Sequence, residues 1–201
     1  MHRNSRLLFQ KYAREYFRPG MRVLEIGPDA APSTYQKIVN DSSIVWHTLD
    51  LGNNPSLTYH ALSEYEFPVE SGSYDIVLSG QVIEHVRQIW VWIQELARVC
   101  KAGGFVVTIN PVSWPYHEAP IDCWRAFPDG MRALYEHARL EVKFSRWESL
   151  EGTGHQRHIP GRSMEWQSPG MRFAYSLLGL IGFPIECAYD TITIGEKIQR
   201  P

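Results

Sequence analysis

Short apolar segments that read as strands alternate with helical patterns over the first 147 residues, and this alternation constrains the fold more than any other feature. The predicted strands cover residues 22–26, 44–49, 57–62, 74–79, 105–109, 140–147 and 192–194. Strands that alternate with helices are typical of an open parallel sheet with helices on both faces. We therefore predict an α/β fold with a doubly wound, mostly parallel sheet.

The helices between these strands are predicted from apolar spacing and from their end signals. They cover residues 1–17, 32–39, 89–100 and 128–138. Pro19-Gly20 ends the first helix. Pro32 is acceptable in the first turn of the second. Gly103-Gly104 is expected to stop the third, since glycine is favoured just past a helix C-terminus.

Length, charge and cysteine content narrow the class of protein. The chain has 201 residues and a formal charge of -2, which suits one globular domain and offers no electrostatic case for a nucleic-acid partner. The 3 cysteines form no CxxC pair, so neither a zinc knuckle nor a disulfide framework is indicated, and a reducing cytoplasm is the expected location. The first residues lack the apolar core of a signal peptide.

The longest apolar stretch runs from Phe173 to Ile185 and contains two glycines and a proline. A membrane span needs roughly 20 apolar residues, so this stretch is too short to be one. We expect it to be a buried helix or a face of a homodimer.

The turn after the first predicted strand is the first place to look for a ligand, because ligands of open α/β sheets bind beyond the carboxyl ends of the strands. Gly27 follows this strand directly and lets the backbone approach a ligand closely. Glu25 can hold backbone amides or a ligand's ammonium group. Asp50 ends the second strand, where a carboxylate can accept both hydroxyls of a ribose. A solvated loop residue or a helix cap is the alternative for Asp50.

Five short motifs follow one another in the first half of the chain. They are Glu25-Ile26-Gly27-Pro28, Asp50, Phe67 to Val77, Val82-Ile83-Glu84-His85-Val86 and Leu96 to Gly104. In this order they resemble class I S-adenosylmethionine-dependent methyltransferases, and most closely the type 11 (UbiE-like) group. The resemblance covers about residues 20 to 111.

The resemblance implies a Rossmann-like, seven-stranded sheet and S-adenosylmethionine as the cofactor. It implies one methyltransferase domain over residues 1–201. The parts of this domain would be an N-terminal helix (1–19), a cofactor-binding half (20–111) and a substrate-binding half (112–201) with an insertion (149–185). Glu25 and Gly27 would cradle the methionine part of the cofactor. Asp50 would bind the ribose, and Leu51 would pack on the adenine.

The resemblance also implies roles for Gln81 and for Glu84-His85, whereas Ser63 and Asp29 depart from the family pattern. Gln81 would line the cofactor near the sulfonium, and Glu84-His85 would open the next helix in a structural role. Ser63 falls in the adenine loop, where the family usually offers an acidic residue. Asp29 stands where the family usually has glycine, and its charge would oppose the cofactor's carboxylate unless the side chain turns away.

The methyl acceptor is expected to meet the loop at residues 110–128, after the fifth strand. His117 is the candidate general base, since its free pKa lies near neutrality. Asp122 would orient His117 or the acceptor, and Arg125 would grip a carboxylate or phosphate on the substrate. The aromatic residues that would stack on a sugar ring are Trp114, Tyr116 and Trp124. The alternative is an Asp122–Arg125 pair that only holds the loop, with His117 exposed.

The stretch from His117 to Gly130 resembles a signature of methyltransferases near polysaccharide and cell-envelope pathways. The hypothesis is therefore O-methylation of a small-molecule or glycan hydroxyl. N-methylation of an amine and a non-catalytic scaffold relative are the alternatives. His155 and His158 form an HxxH pair, but no third ligand is apparent and no metal site is predicted.

Overall fold

The computed structural model describes residues 3–52, 54–118, 120–151, 169–181 and 188–199, and these residues form a sheet covered by helices. The strands are β1 (Arg22–Ile26), β2 (Val45–Leu51), β3 (Tyr59–Ala61), β4 (Tyr74–Gly80), β5 (Cys100–Ser113), β6 (Leu140–Glu148) and β7 (Tyr189–Lys197). The α-helices are α1 (Arg3–Leu8), α2 (Thr34–Val39), α3 (Ile89–Val99), α4 (Pro128–His137) and α5 (Pro169–Leu180).

The strand order explains where a ligand can bind. The 7-stranded sheet has the order β3-β2-β1-β4-β5-β7-β6. The first five strands in this order are parallel, and β7 runs antiparallel between β5 and β6. The chain moves outward from β1 to β3 and then returns to β4 on the other side of β1. This reversal leaves a crevice at the carboxyl ends of β1 and β4, as in other doubly wound folds. The predicted fold class is confirmed.

Two apolar clusters, one on each face of the sheet, hold the helices in place. On one face Trp92 and Leu96 of α3 and Tyr135 of α4 are fully buried. On the other face Phe9 and Tyr35 are buried, and their rings lie 4.5 Å apart. Burying side chains of this size stabilises the fold by about 2–3 kcal/mol each. The helices therefore cover both faces, as predicted.

Three helix boundaries differ from the sequence prediction. The N-terminal helix is α-helical only to Leu8, and a wider π-helical stretch, Phe9–Ala13, precedes a 3-10 turn, Arg14–Tyr16. Helix α2 begins at Thr34, because Ser33 is its N-cap and accepts a hydrogen bond from the amide of Gln36.

Helix α3 ends at Val99, before the two glycines expected to stop it. Cys100 already pairs with Tyr74 at the start of β5. Gly103, with φ of +76°, lies in the stretch where the register between β4 and β5 shifts. Gly103 therefore lies at a strand irregularity and does not end the helix.

The predicted insertion at residues 149–185 lies largely outside the described residues. In α5, the described side chains of Phe173, Leu177 and Leu180 are exposed, so this part of the apolar stretch is not the expected buried helix. A homodimer face there stays a prediction. In the described part of the chain, no helix has both the length and the apolar character that crossing a membrane requires.

Candidate active site

A cavity of about 460 Å³ opens at the carboxyl ends of β1, β2 and β4. Its volume lies within the usual range of about 300–1,000 Å³ for small-molecule and cofactor sites. The wall is formed by Ile26, Gly27, Leu49, Asp50, Leu51, Glu64, Phe67, Gln81, Val82, His85, Val86, Trp92 and Pro120. Of the predicted cofactor residues, Gly27, Asp50, Leu51 and Gln81 lie on this wall.

Gly27 makes the tight turn after β1 possible. Its φ is +67°, and its amide donates a hydrogen bond of 2.9 Å to the carbonyl oxygen of Leu49. A Cβ at this position would lie 2.5 Å from Cγ2 of Val82. Only glycine combines this backbone conformation with so close an approach to the next wall of the cavity.

Asp50 and Leu51 bring a carboxylate and an apolar side chain to the end of β2. The amide of Leu51 donates a 2.7 Å hydrogen bond to Oδ1 of Asp50. Among the described residues, Oδ2 of Asp50 accepts no hydrogen bond and can accept one from a ligand. The Leu51 side chain stays half exposed at the cavity and can cover a flat ring.

Gln81 presents an unsatisfied acceptor beside the cavity. Its φ of +61° turns the chain sharply after β4. Its Nε2 donates to Oγ of Ser5 at 2.7 Å and to Oδ1 of Asp190 at 3.0 Å. Its Oε1 is buried and has no hydrogen-bond partner among the described residues. Such a buried acceptor is rare, and a donor on a bound ligand would satisfy it.

Glu25 is buried behind the cavity wall instead of on it. Its Oε2 accepts hydrogen bonds from Oγ of Ser33 at 2.5 Å and from Nε1 of Trp46 at 2.8 Å. Burial raises the pKa of Glu25 to about 7, although the hydrogen bonds from Ser33 and Trp46 lower it and Asp29 raises it further. The carboxyl group thus ties β1 to the N-cap of α2 and to β2, and it shapes the turn at Gly27 indirectly.

Two positions that departed from the family pattern are placed away from the cavity. Asp29 turns toward Thr34 and accepts from its amide at 2.9 Å and from its hydroxyl at 2.6 Å. Ser63 does not line the cavity, and its Oγ accepts a hydrogen bond of 3.1 Å from the amide of Tyr65. The adjacent Glu64 lines the wall in its place and supplies the carboxylate that Ser63 lacks.

The loop after β5 is held by an ion pair between Asp122 and Arg125. Both nitrogens at the end of the Arg125 guanidinium donate to Asp122, and Nη2 lies 2.6 Å from Oδ2. The amide of His117 donates to the same carboxylate at 2.9 Å. Burial alone would raise the pKa of Asp122, but these hydrogen bonds outweigh it and hold the pKa below its usual range. Arg125 is therefore engaged inside the loop.

His117 lies beside this ion pair and next to a residue of the cavity wall. Its Nδ1 is 3.3 Å from the carbonyl oxygen of Pro115 and 3.4 Å from Oδ2 of Asp122. Its ring meets the ring of His85 edge to face, with centroids 5.1 Å apart. Burial lowers the pKa of His117 below its ordinary value, and the Asp122 charge offsets this only in part.

The predicted stacking residues lie on the same loop but not on the cavity wall. Trp124 donates a 2.7 Å hydrogen bond to the carbonyl oxygen of Val86 and packs against Trp90. The Tyr116 ring is exposed, and its hydroxyl donates to Oε1 of Glu118 at 2.7 Å. The carbonyl oxygen of Trp114 accepts from Arg125 at 3.3 Å.

Sequence reasoning missed His85 as a wall residue. The resemblance assigned Glu84-His85 a structural role at the start of a helix, but the two form a 3-10 turn, Ile83–His85, and α3 begins only at Ile89. The amide of Cys123 donates a 2.7 Å hydrogen bond to the carbonyl oxygen of Glu84, so the loop after β5 folds over this turn. No local sequence signal marks this long-range contact.

The part of the chain that carries most of the cavity wall also matches known proteins. Residues 12–108 match the family model described as a methyltransferase domain. These residues make up just under half of the chain, and this part of it resembles the methyltransferase domains of the type 11 family. An uncharacterised methyltransferase of Mycobacteroides abscessus is 30% identical over 101 residues, which are 48% of this chain and 34% of that protein. The chain thus spans about a third of the length of this curated relative.

Solved structures share the fold of the methyltransferase domain. One is phosphoethanolamine N-methyltransferase 2 of Haemonchus contortus in complex with S-adenosyl-L-methionine. Its TM-score is 0.60 at 12% sequence identity, and the match covers 97% of this chain and 52% of that chain. Another is the [4+2]-cyclase SpnF, with a TM-score of 0.63 at 12% sequence identity. This match covers 98% of this chain and 82% of that chain. At such low identity the likeness concerns the fold alone.

S-adenosylmethionine is the cofactor that the family implies, and the residues of the cavity fit it. Asp50 offers a carboxylate oxygen to ribose hydroxyls, and Gly27 keeps the turn free of a side chain. The buried Oε1 of Gln81 is an acceptor without a donor among the described residues. A small turn of the Gln81 side chain toward the cavity would let an ammonium or hydroxyl group of the cofactor supply that donor.

Proposed function

We propose that this protein transfers a methyl group from S-adenosylmethionine to a hydroxyl group of a small molecule or glycan. When bound, the cofactor supplies a methyl group that its sulfonium already activates. The observation that carries the proposal is the position of His117, whose ring abuts His85 on the cavity wall. A hydroxyl acceptor needs a base within hydrogen-bond reach, and an imidazole at this place meets that need.

The cofactor would be held by residues from the ends of three strands. Asp50 accepts from the ribose, Leu51 covers the adenine and Glu64 takes the place first assigned to Ser63. Gln81 orients the methionine part through its free Oε1. Glu25 contributes indirectly, because its hydrogen bonds to Ser33 and Trp46 hold the turn that contains Gly27.

His117 would act as the base in its neutral form. Both groups that face its Nδ1 are acceptors, so the proton of the neutral ring resides on Nδ1 and the lone pair on Nε2. Asp122 is a positioning residue here, because it binds the amide of His117 and faces its ring. A lowered pKa keeps His117 neutral and ready to accept a proton at neutral pH.

The remaining loop residues would shape the acceptor site. Arg125 holds the loop through Asp122, so its predicted grip on a substrate anion is the weaker of its two roles. Tyr116 and its neighbours Trp114 and Trp124 would offer flat faces to a sugar ring. A cytoplasmic location and a homodimer complete the proposal.

The test combines binding with a search for the acceptor. Calorimetry with S-adenosylhomocysteine should show one site, and no heat at millimolar ligand would rule out the cofactor. Methyl-donor consumption is then measured over matched panels of sugars, phenols and amines. Turnover with hydroxyl acceptors is expected, turnover with amines alone would contradict the O-methylation proposal, and binding without any turnover would indicate a non-catalytic relative.

A further inference from the structure

Three side chains with metal-binding atoms meet beside the cavity. They are Glu84 and His85, on the 3-10 turn after β4, and His117, on the loop after β5. One oxygen of Glu84 and one nitrogen of each ring all lie within 4.8 Å of one another. The sequence predicts no metal site, and its one candidate pair, His155 and His158, lies outside the described residues.

The hydrogen bonds of the two histidines leave the same nitrogen open on each ring. Nδ1 of His85 lies 2.5 Å from the carbonyl oxygen of Ile121, which can only accept, so Nδ1 carries the proton. Nδ1 of His117 faces the carbonyl oxygen of Pro115 and the carboxylate of Asp122, which are also acceptors. Metal-bound histidines usually donate their second N–H to a carbonyl or carboxylate in this way.

Glu84 supplies a buried carboxyl group to this cluster. Its side chain is 1% exposed, and its Oε2 has no hydrogen-bond partner among the described residues. Its Oε1 lies 3.8 Å from Nε2 of His85. A buried carboxylate oxygen without a donor is costly, and a bound cation would remove that cost.

We propose that Glu84, His85 and His117 bind one divalent transition-metal ion of the Zn²⁺ type. Two imidazoles and a carboxylate with open positions form a common catalytic zinc set, whereas Mg²⁺ prefers oxygen ligands alone. Ligands at about 2.0–2.2 Å from one ion lie roughly 3–3.5 Å apart, so atoms that are now up to 4.8 Å apart must close by roughly 1.5 Å. The His117 side chain, 36% exposed, has room for this movement.

The ion would meet the acceptor at the edge of the cavity, because His85 lines the wall. It would lower the pKa of a bound hydroxyl, which is a known role of such ions. His117 would then be a ligand, and the ion would take the place of the base. The site itself does not rest on the proposed O-methylation, since metal binding can be measured without turnover.

The experiment titrates Zn²⁺ alone into the EDTA-treated full chain, in competition with a chromophoric chelator. We expect one equivalent bound with a Kd well below about 10 µM. His117→Ala and His85→Ala should each weaken binding on the order of 100-fold, because each removes a direct ligand. The double variant His155→Ala/His158→Ala is the matched control and should bind as the unaltered chain does. Co²⁺ should report a nitrogen–oxygen ligand set in its visible absorption.

Several results would overturn the site. They are the absence of a stoichiometric Zn²⁺ ion, unchanged binding in His117→Ala, and loss of binding in the His155/His158 control. Thermal unfolding shows whether each variant is folded. If His85→Ala does not fold, the Zn²⁺ affinity of His117→Ala decides, since His117 lies on a partly exposed loop. Calorimetry with S-adenosylhomocysteine on the metal-free protein separates a failed metal site from a failed cofactor site.

Discussion

Gln81 on the cavity wall donates a hydrogen bond of 3.0 Å from Nε2 to Oδ1 of Asp190 on β7. The other carboxylate oxygen of Asp190 accepts from Nδ2 of Asn4 in α1, at 2.8 Å. Asn4 and Asp190 are both fully buried. The cavity wall is thus linked through the Asp190 carboxylate to α1. This helix lies outside the five sequence motifs that predicted the site.

Asn4→Ala should therefore destabilise the protein and weaken cofactor binding together. The Asn4 side chain also donates to the carbonyl oxygen of Glu148 and accepts from the amide of Leu150. Its loss leaves buried partners unsatisfied and should cost about 2–4 kcal/mol of unfolding free energy. Urea unfolding and calorimetry with S-adenosylhomocysteine measure the two effects. Gln10→Ala, an exposed change on the same helical segment, should alter neither, and equal effects of both variants would contradict the link.

Gly27→Ala should be far more harmful than Gly72→Ala, although the two glycines have nearly the same φ, +67° and +66°. A Cβ on Gly72 meets nothing within 4 Å, whereas one on Gly27 lies 2.5 Å from Val82. Gly72→Ala should cost only the backbone strain of about 1–2 kcal/mol. Gly27→Ala should add the clash and lose cofactor binding. Similar unfolding free energies for the two variants would show that the close approach to Val82 has no energetic weight.

Asp50→Ala should lower the affinity for S-adenosylhomocysteine by roughly 10- to 100-fold, as expected for the loss of charged hydrogen bonds to a ribose. The fold should be retained, because among the described residues the carboxylate accepts only from the amide of Leu51. Asp41→Ala removes a carboxylate from the turn before β2, away from the cavity wall, and should leave affinity unchanged. Full affinity in Asp50→Ala would place the ribose elsewhere.

The free energy of unfolding should fall as the pH rises from about 4.5 to 7, and the ionisation of Glu25 should cause this fall. Burial raises the pKa of Glu25 from 4.5 to about 7, so the folded state binds a proton that the unfolded state has released. Stability from this group is complete below the unfolded pKa and is lost as pH rises to the folded pKa, by about 3 kcal/mol. Glu25→Gln keeps an acceptor for Ser33 and Trp46 and removes the ionisation. Its unfolding free energy should change less between pH 5 and pH 8 than that of the unaltered, cofactor-free chain, and identical profiles would contradict this origin.

His117→Ala should abolish turnover while cofactor affinity stays within a factor of two or three, since the residue lies outside the cavity wall and contributes a typical factor of about 10²–10⁴ as a base. In the metal-free protein, where His117 is not a ligand, the rate should fall on the acid side with a midpoint below 6.5, because burial lowers the pKa of His117. His137→Ala, at an exposed site on α4, is the control. Unchanged turnover in His117→Ala on the true acceptor would remove this residue from the chemistry.

Local sequence patterns predicted strands and helices well. They predicted helix ends less well where contacts with distant residues set the boundary. Arg22–Ile26 is predicted and found as β1, because a short apolar run before a glycine turn has few other solutions. Helix α3 ends before Gly103-Gly104 because Cys100 pairs with Tyr74, and that pairing partner lies outside any local window. The π-helical stretch after Leu8 likewise has no local signal in the sequence.

The sequence by itself determined that Gly27, Asp50 and Gln81 meet at the cavity, because Gly27 and Gln81 follow strands, Asp50 lies near the end of one, and parallel strands bring their carboxyl ends to one edge. The tertiary structure alone decided which side chains meet on the acceptor side. Arg125 binds Asp122 within its loop, and His117 reaches His85 only because the loop after β5 folds over the turn after β4. Local sequence sets backbone conformation over a few residues, whereas contacts between distant segments depend on how the whole sheet and its loops pack.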